Sequence, residues 1–439
     1  MISEIASIAS KAFIIIMIVS IILMLPRFMF AFLGFGKRIV FNPKTSKKSK
    51  FAILIPARDE SKVIGDLLLS LSRQNYPKEN FDIFVIVKDE NDRSIQITKK
   101  YGYNVLVNQN QTCKGEALDY ALKYIYDSNL KYDSFLVFDA DNVVTPNFLL
   151  EINKAVVSGY DIGMGYRNTK NWNESWVSAS TALTFSLVNT LSNKGRSKLG
   201  RNCIFSGTGY FISSRVLDKF RGWPFRTLTE DYEISLYATL NNLKTTYVEN
   251  AEFYDEQPKS LKTSFKQRVR WVKGFIQSGK IYNKKIFKSI FKDKENRISK
   301  IEQSIGMYPI IAIIASTIVY ALLQIGLAIA SVATGISAIP FVLKFFEILI
   351  KTYIVLMIFT VVQFLAESKR INVHLSTVLL TTILNPLYVA MYIPIGLKAL
   401  LSKNIVWVKI EHENNMQIVI GKEGEQYEDD EARKTIKNS

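Results

Sequence analysis

Residues 51–60 read Phe-Ala-Ile-Leu-Ile-Pro-Ala-Arg-Asp-Glu: five apolar residues, a proline, and then a charged cluster. A short apolar run ended by a turn residue is the pattern of a buried strand. The pattern recurs three times. Phe81–Val87 is followed by Asp89, Tyr103–Val107 by Lys114-Gly115, and Phe135–Phe138 by Asp139-Ala140-Asp141. Helical patterns open at Glu60, Asn91, Gly115 and Pro146. This alternation predicts βαβ units: an α/β fold whose mostly parallel sheet is flanked by helices. Ligands of such sheets bind beyond the carboxyl ends of the strands. All four polar clusters fall there.

Outward from this core the chain becomes apolar. Ala12 to Gly36 carries a single charge, Arg27, enough length for one membrane crossing with Arg27 snorkelling to its basic end. Lys37, Arg38, Lys44, Lys47, Lys48 and Lys50 follow without an acid among them, which assigns the following segment to the cytosol. Gln303 to Leu343 has no charged residue, Thr352 to Ala366 is a shorter apolar run, and Leu375 to Leu397 is broken at Asn385–Pro386. Three crossings after a cytosolic segment would leave the tail outside, whereas Lys398, Lys403 and Lys409 assign it inside. Either the run with Pro386 is re-entrant or interfacial, or the long uncharged stretch holds two short spans.

Between these regions, Leu261, Phe265, Val269, Val272 and Ile276 repeat at helical spacing, and residues 261–300 carry thirteen basic residues against two acids. This reads as a helix lying on anionic headgroups at the cytosolic interface.

Composition narrows the function. Lys+Arg exceed Asp+Glu by 56 to 39, a net charge of +17, yet 48% of the residues are hydrophobic, which excludes bulk disorder. Two cysteines and two histidines leave no zinc site. Neither a P-loop nor a dinucleotide fingerprint is present. The basic residues cluster beside the spans and no nucleic-acid module is found, so nucleic acid is not an expected partner. Asp139 and Asp141 offer hard oxygen ligands for Mg²⁺ or Mn²⁺ shared with substrate phosphates. Lys114 and the helix opening at Gly115 place positive charge and N–H groups where a phosphate can bind. Thr229-Glu230-Asp231 precedes a helical pattern, where an acid is commonly a cap. Gln267, Arg270 and Trp271 stand at i, i+3 and i+4 and share a helix face. An amide, a guanidinium and an indole so grouped can hold a diphosphate and stack a sugar ring.

With D-x-D at 139–141, T-E-D at 229–231 and Q-x-x-R-W at 267–271 in this order, the chain resembles the family 2 membrane-bound glycosyltransferases, which include the cellulose, hyaluronan and poly-N-acetylglucosamine synthases. The resemblance implies a GT-A fold over 50–255, a transmembrane helix in 1–36, amphipathic interface helices in 256–300, a transmembrane region of about three apolar runs in 303–401, and a polar tail in 402–439. It further implies that Ala57, Asp59 or Glu60, and Asp89 line the nucleotide pocket, that Lys114, Asp139, Gln267 and Arg270 contact the sugar nucleotide, and that Asp141 holds the metal. Asp231 would be the general base, Trp271 the acceptor platform beside Glu230, and Gly207 and Thr208 the acceptor floor. The first motif reads A-R-D-E where A-x-N-E is common, and Lys88-Asp89-Glu90 stands where paired Asp is frequent.

Three functions follow. The first is inverting, processive synthesis of a β-linked polysaccharide from UDP-glucose or UDP-N-acetylglucosamine, exported through the enzyme's own spans with accessory secretion proteins as partners. The second adds one or a few sugars to a membrane lipid. The third is a non-catalytic membrane subunit of a secretion complex.

Overall fold

A continuous apolar strand is stable when both of its faces are covered, and the segment at 51–56 meets that condition. Phe51, Ile53 and Ile55 enter one hydrophobic cluster, Ala52 and Leu54 another on the opposite face, all fully buried. The computed structural model describes residues 2–402 and two short strand segments, Val419–Ile420 and Gln426–Tyr427. Apart from these, the tail expected over 402–439 lies outside the described residues.

The chain begins with helix α1 (Ile2–Gly34) and then alternates: β1 (Phe51–Pro56), α2 (Ile64–Ser72), β2 (Phe81–Val87), α3 (Ser94–Lys100), β3 (Asn104–Val107), α4 (Lys114–Asp127), β4 (Ser134–Val137). The second half is less regular: β5 (Val143–Val144), α5 (Phe148–Val157), β6 (Ile162–Thr169), α6 (Trp176–Val188), α7 (Gly195–Lys198), β7 (Tyr210–Ser213), α8 (Ser214–Leu217), α9 (Glu230–Leu240), β8 (Thr245–Asp255). Helices α10 (Leu261–Lys292), α11 (Arg297–Ile305), α12 (Met307–Ala333), α13 (Ile339–Glu367), α14 (Leu375–Ala390) and α15 (Tyr392–Leu401) complete it.

Eight strands form one sheet in the order β3-β2-β1-β4-β7-β6-β8-β5. The β3-β2-β1-β4 half is parallel throughout, as the strand–helix alternation predicts. The other half is mixed: β7 runs antiparallel to both β4 and β6, β5 antiparallel to β8, and β6 parallel to β8. The insertion of β7 is held at a close approach. Gly209 has φ +66°, and a Cβ there would stand 2.1 Å from the Phe253 ring. Only glycine meets both conditions.

Among the described residues four helical stretches are long and apolar enough to cross a membrane: Ile2–Gly34, Arg297–Ala333, Ile339–Glu367 and Leu375–Leu401. The first starts ten residues before the expected Ala12. Arg27 does not snorkel alone; its Nε donates to Glu302 Oε1 at 2.8 Å, and Glu302 also pairs with the buried Arg196 at 2.6 Å. The uncharged stretch from Gln303 does not hide two short spans, because α12 is a single unbroken helix. The apolar run around 352–366 is the end of the longer α13, where Glu347 pairs with Lys344 (2.9 Å) and Lys351 (2.5 Å). The break expected at Asn385–Pro386 is absent, and Met391 joins α14 to α15. The proline turn stays helical because α13 ties it down: the Tyr353 hydroxyl donates to Ile383 O (2.5 Å) and Asn385 Nδ2 to Thr360 Oγ1 (2.9 Å).

The apolar stripe of α10 also departs from expectation. Phe265, Val269, Val272 and Ile276 pack against Met391, Tyr392, Ile395 and Ala399. Helical periodicity specifies an apolar face; here a second helix covers it, and the face does not meet lipid directly.

Candidate active site

The ends of β1 and β4, the start of α4, the loop before β7, the first turn of α9 and one face of α10 converge on a cleft of about 210 Å³. Ala57, Glu60, Lys114, Asp139, Asp141, Gly207, Glu230, Asp231, Gln267, Arg270 and Trp271 all line it. Residues from six parts of the chain thus meet in one place.

Lys114 is the hub of the cleft. Its Nζ donates to Asp139 Oδ1 and to Gly207 O, both at 2.6 Å, and lies 3.7 Å from Glu230 Oε1. Burial pulls the ammonium pKa down, but the surrounding carboxylates of Asp139, Glu230 and Asp231 outweigh it and hold the net shift upward. The Asp139 loop is fixed from behind: its N–H is shared by Thr208 Oγ1 (2.8 Å) and Asn142 Oδ1 (3.2 Å). Asp141 accepts the Glu256 N–H at 3.0 Å and Asn142 Nδ2 at 3.3 Å.

The acids of the T-E-D motif stand in the first turn of α9 and accept its backbone N–H groups while lining the cleft. Thr229 stands at the N-cap of α9 without a side-chain cap bond. Glu233, one turn on, takes the loop N–H groups of Arg226 and Thr227, both at 2.9 Å. Asp231 also accepts the Gly207 N–H. Helix α10 approaches this turn closely, since a Cβ on Gly274 would stand 2.4 Å from Thr229 Oγ1. Burial pushes the Glu230 carboxyl up to about 7, with Lys114 opposing and the Asp231 charge adding; burial also raises Asp231. The pair therefore takes up a proton at a pH where ordinary carboxylates are ionised. If Asp231 acts as a base, kcat/KM measured against pH should fall on the acid side at a pH above the ordinary aspartate range, because burial raises its carboxyl. Glu230→Gln, which removes the like charge, should move that limb to lower pH.

Two of the three wall residues of α10, Trp271 and Gln267, differ in their surroundings. Trp271 meets the Phe185 ring edge-on at 5.5 Å, while Gln267 Oε1 is buried with no partner among the described residues and is an acceptor available to a ligand.

Asp59, Asp89 and Thr208 stand outside the cleft lining. Asp59 adopts φ +55° and its N–H is held by Asp92 Oδ2 at 2.8 Å, while Asp89 turns its carboxylate to the Asn91 N–H in its own loop at 2.8 Å. Thr208 is fully buried behind Asp139 and supports the loop from outside the cleft. Of the expected alternatives Asp59 and Glu60, it is Glu60 that lines the cleft.

The lining residues not read from the sequence include Arg167 and Asp255. Arg167 on β6 pairs with Asp255 at the end of β8, donates to Ser206 O at 2.9 Å and lies 3.5 Å over the Phe185 ring. Burial raises the Asp255 carboxyl; Arg167 opposes this and nearby Asp141 adds to it. Asp141 and Asp255 therefore place two carboxylates on one cleft, next to the loop that anchors Asp139. Among the described residues no group of three or more His, Cys, Asp or Glu is placed to hold a metal. The donor set fits a hard divalent ion that takes its other ligands from substrate phosphates and water.

A mannosyltransferase from Pyrobaculum calidifontis, solved in complex with GDP-Man and Mn²⁺, superposes over 92% of this chain and 100% of its own with a TM-score of 0.57 at 14% identity. The α/β core is thus of the GT-A type. In sequence, a probable glycosyltransferase (YdaM) of Bacillus subtilis (strain 168) is 25% identical over 51% of this chain and 55% of its own length. A beta-monoglucosyldiacylglycerol synthase of Trichormus variabilis is 23% identical over 52% of this chain and 49% of its own. The chain spans about half the length of these curated relatives. Residues 49–274, more than half of the chain, match the profile described as Glycosyltransferase like family 2, and the protein belongs to that family.

Proposed function

We propose that this protein transfers a single sugar, or a few, from a nucleotide-sugar to a lipid acceptor at the membrane surface, with inversion at the anomeric carbon. The observation that carries the choice of acceptor is the arrangement of the long helices. Helix α1 packs on α12, α12 on α13 and α13 on α14, and both α1 and α14 also pack on the segment 176–194 of the core. Between one-sixteenth and one-third of each apolar window is buried, so most of their surface is left for lipid. The similarity to a glucosyl-diacylglycerol synthase supports the same acceptor class.

In this reading Lys114, Arg270 and the α4 N-terminus hold the donor diphosphate, and Gln267 Oε1 accepts a hydrogen bond from the ligand. Asp141, with Asp255 beside it, would hold Mg²⁺ or Mn²⁺; such an ion offsets charge on the leaving diphosphate when bound. The acceptor hydroxyl lies against Trp271, gives its proton to Asp231, and its oxygen attacks the anomeric carbon from the face opposite the diphosphate. One C–O bond forms, the bond to the diphosphate breaks, and nucleoside diphosphate leaves. An α-linked donor then gives a β-linked product. The chain would be a multi-pass membrane protein with its α/β core in the cytosol.

Purified protein given UDP-glucose, UDP-N-acetylglucosamine or another nucleotide-sugar, with Mn²⁺ and membrane lipid, should yield a discrete glycolipid by thin-layer chromatography. A ladder or high polymer would instead establish the processive synthesis placed first by the sequence motifs.

A further inference from the structure

The α14–α15 pair has the length and composition of a span, yet both of its ends touch the α/β core and its companion helix α10. At the start, the His374 N–H donates to Asn173 Oδ1 at 2.8 Å and Asn173 Nδ2 to Asn372 O at 3.2 Å, just ahead of α6. At the finish, Lys273 Nζ donates to Ala399 O (3.1 Å) and Ser402 O (2.5 Å). Lys273 stands two residues past Trp271, in the wall of the cleft. The middle is held as well. The Tyr388 hydroxyl is hydrogen-bonded to Thr181 Oγ1 of α6 (2.8 Å) and Ser264 Oγ of α10 (3.0 Å). Arg268 stacks 3.7 Å over the Tyr388 ring and donates to its carbonyl at 2.8 Å.

A crossing helix must separate its ends by the roughly 30 Å of a bilayer core. Met391 is helical and joins α14 to α15, so the 27 residues of Leu375–Leu401 reach about 40 Å at 1.5 Å per residue and length alone allows a crossing; the contacts of its start, middle and finish with the core and α10 oppose one. Along α13 the contact is confined to its second half, from Tyr353 to Phe364, the half nearest the core, where Tyr166 donates to Glu367 at 2.7 Å.

We infer that Leu375–Leu401 is a segment laid against the core-facing leaflet, with lipid as its partner, and not a fourth crossing. Its inner face covers α6 and α10. Leu379, Ile383, Leu387, Leu397 and Leu400 are exposed on its outer side, continuous with the exposed apolar surface of α13. The chain then leaves Ser402 on the side of the core, where Lys398, Lys403 and Lys409 belong by charge. The inference rests on α12 and α13 being spans, and a control at their connecting turn tests that separately.

The test is labelling of the full-length protein with a membrane-impermeant maleimide in right-side-out and inside-out vesicles. Three single variants are compared: Lys131→Cys on the α/β core, Ser337→Cys between α12 and α13, and Ser439→Cys. Signal is scored above that of the unaltered chain, whose thiols are Cys113 and Cys203. Ser439→Cys should label from the side that labels Lys131→Cys, with Ser337→Cys labelled from the other. Labelling of Ser439→Cys together with Ser337→Cys, and apart from Lys131→Cys, overturns the inference. Labelling of Ser337→Cys together with Lys131→Cys overturns the spans on which it rests.

Discussion

Asp231→Asn should lower kcat by about 10²–10⁴-fold, the range for loss of a positioned general base, while leaving the donor dissociation constant within a few-fold. The geometry makes the split sharp. Asparagine keeps the shape of the side chain and an oxygen to accept the Gly207 N–H, so the loop that presents Gly207 O to Lys114 is retained. What is lost is the capacity to take a proton. A carboxylate at this position is costly to keep ionised because burial raises its pKa, and a folded protein that maintains it without a use for its basicity would gain from the amide. Turnover assayed as nucleoside diphosphate release, next to donor binding by calorimetry, separates the two parts. Unchanged turnover would remove Asp231 from the chemistry, and absence of release from the parent as well would revive the non-catalytic subunit.

Arg167→Met should destabilise the fold by about 3–5 kcal/mol, the cost of leaving one member of a buried ion pair without its partner. Both side chains are well shielded, with Arg167 10% and Asp255 3% exposed. Removal of the guanidinium leaves Asp255 facing Asp141 without compensation, frees Ser206 O, and takes away the cation that lies over Phe185. Asp255→Asn removes the charge that needs balancing, so the double variant Arg167→Met/Asp255→Asn should melt closer to the parent than Arg167→Met does. Thermal unfolding in detergent measures all three; a single variant that melts with the parent would show that the pair carries no structural load. Phe185 links this pair to the acceptor wall, since its ring lies between Arg167 and Trp271. Surviving Arg167→Met protein should accordingly show a raised KM for acceptor.

The legible parts of this molecule are those that local sequence determines. Strand β1 could be read from Phe51–Pro56 because alternate residues enter two opposite clusters and the run must be apolar throughout. The shared face of Gln267, Arg270 and Trp271 follows from helical spacing alone, and all three line the cleft. The rest depends on contacts between distant segments. Arg167 and Asp255 are 88 positions apart, and nothing in Ile162–Thr169 marks its arginine as a partner for the end of β8. Asn142 looks like an ordinary turn residue after Asp141, yet its carbonyl holds both the Asp139 N–H and the Thr208 hydroxyl. The antiparallel insertion of β7 was likewise invisible, because a four-residue strand after a long connection has no register signal of its own. The stripe on α10 gave the helix but not its covering, since α15 and lipid satisfy the same apolar periodicity equally well.

The most direct test of a nucleotide-sugar site built on separate carboxylate loops is calorimetric titration of the purified protein with UDP, with and without Mn²⁺, in the parent and in Asp141→Asn. Binding of UDP that strengthens with Mn²⁺ in the parent, and loses that dependence in Asp141→Asn, is the result predicted here. Equal heats in all four titrations, or none in any, would contradict it.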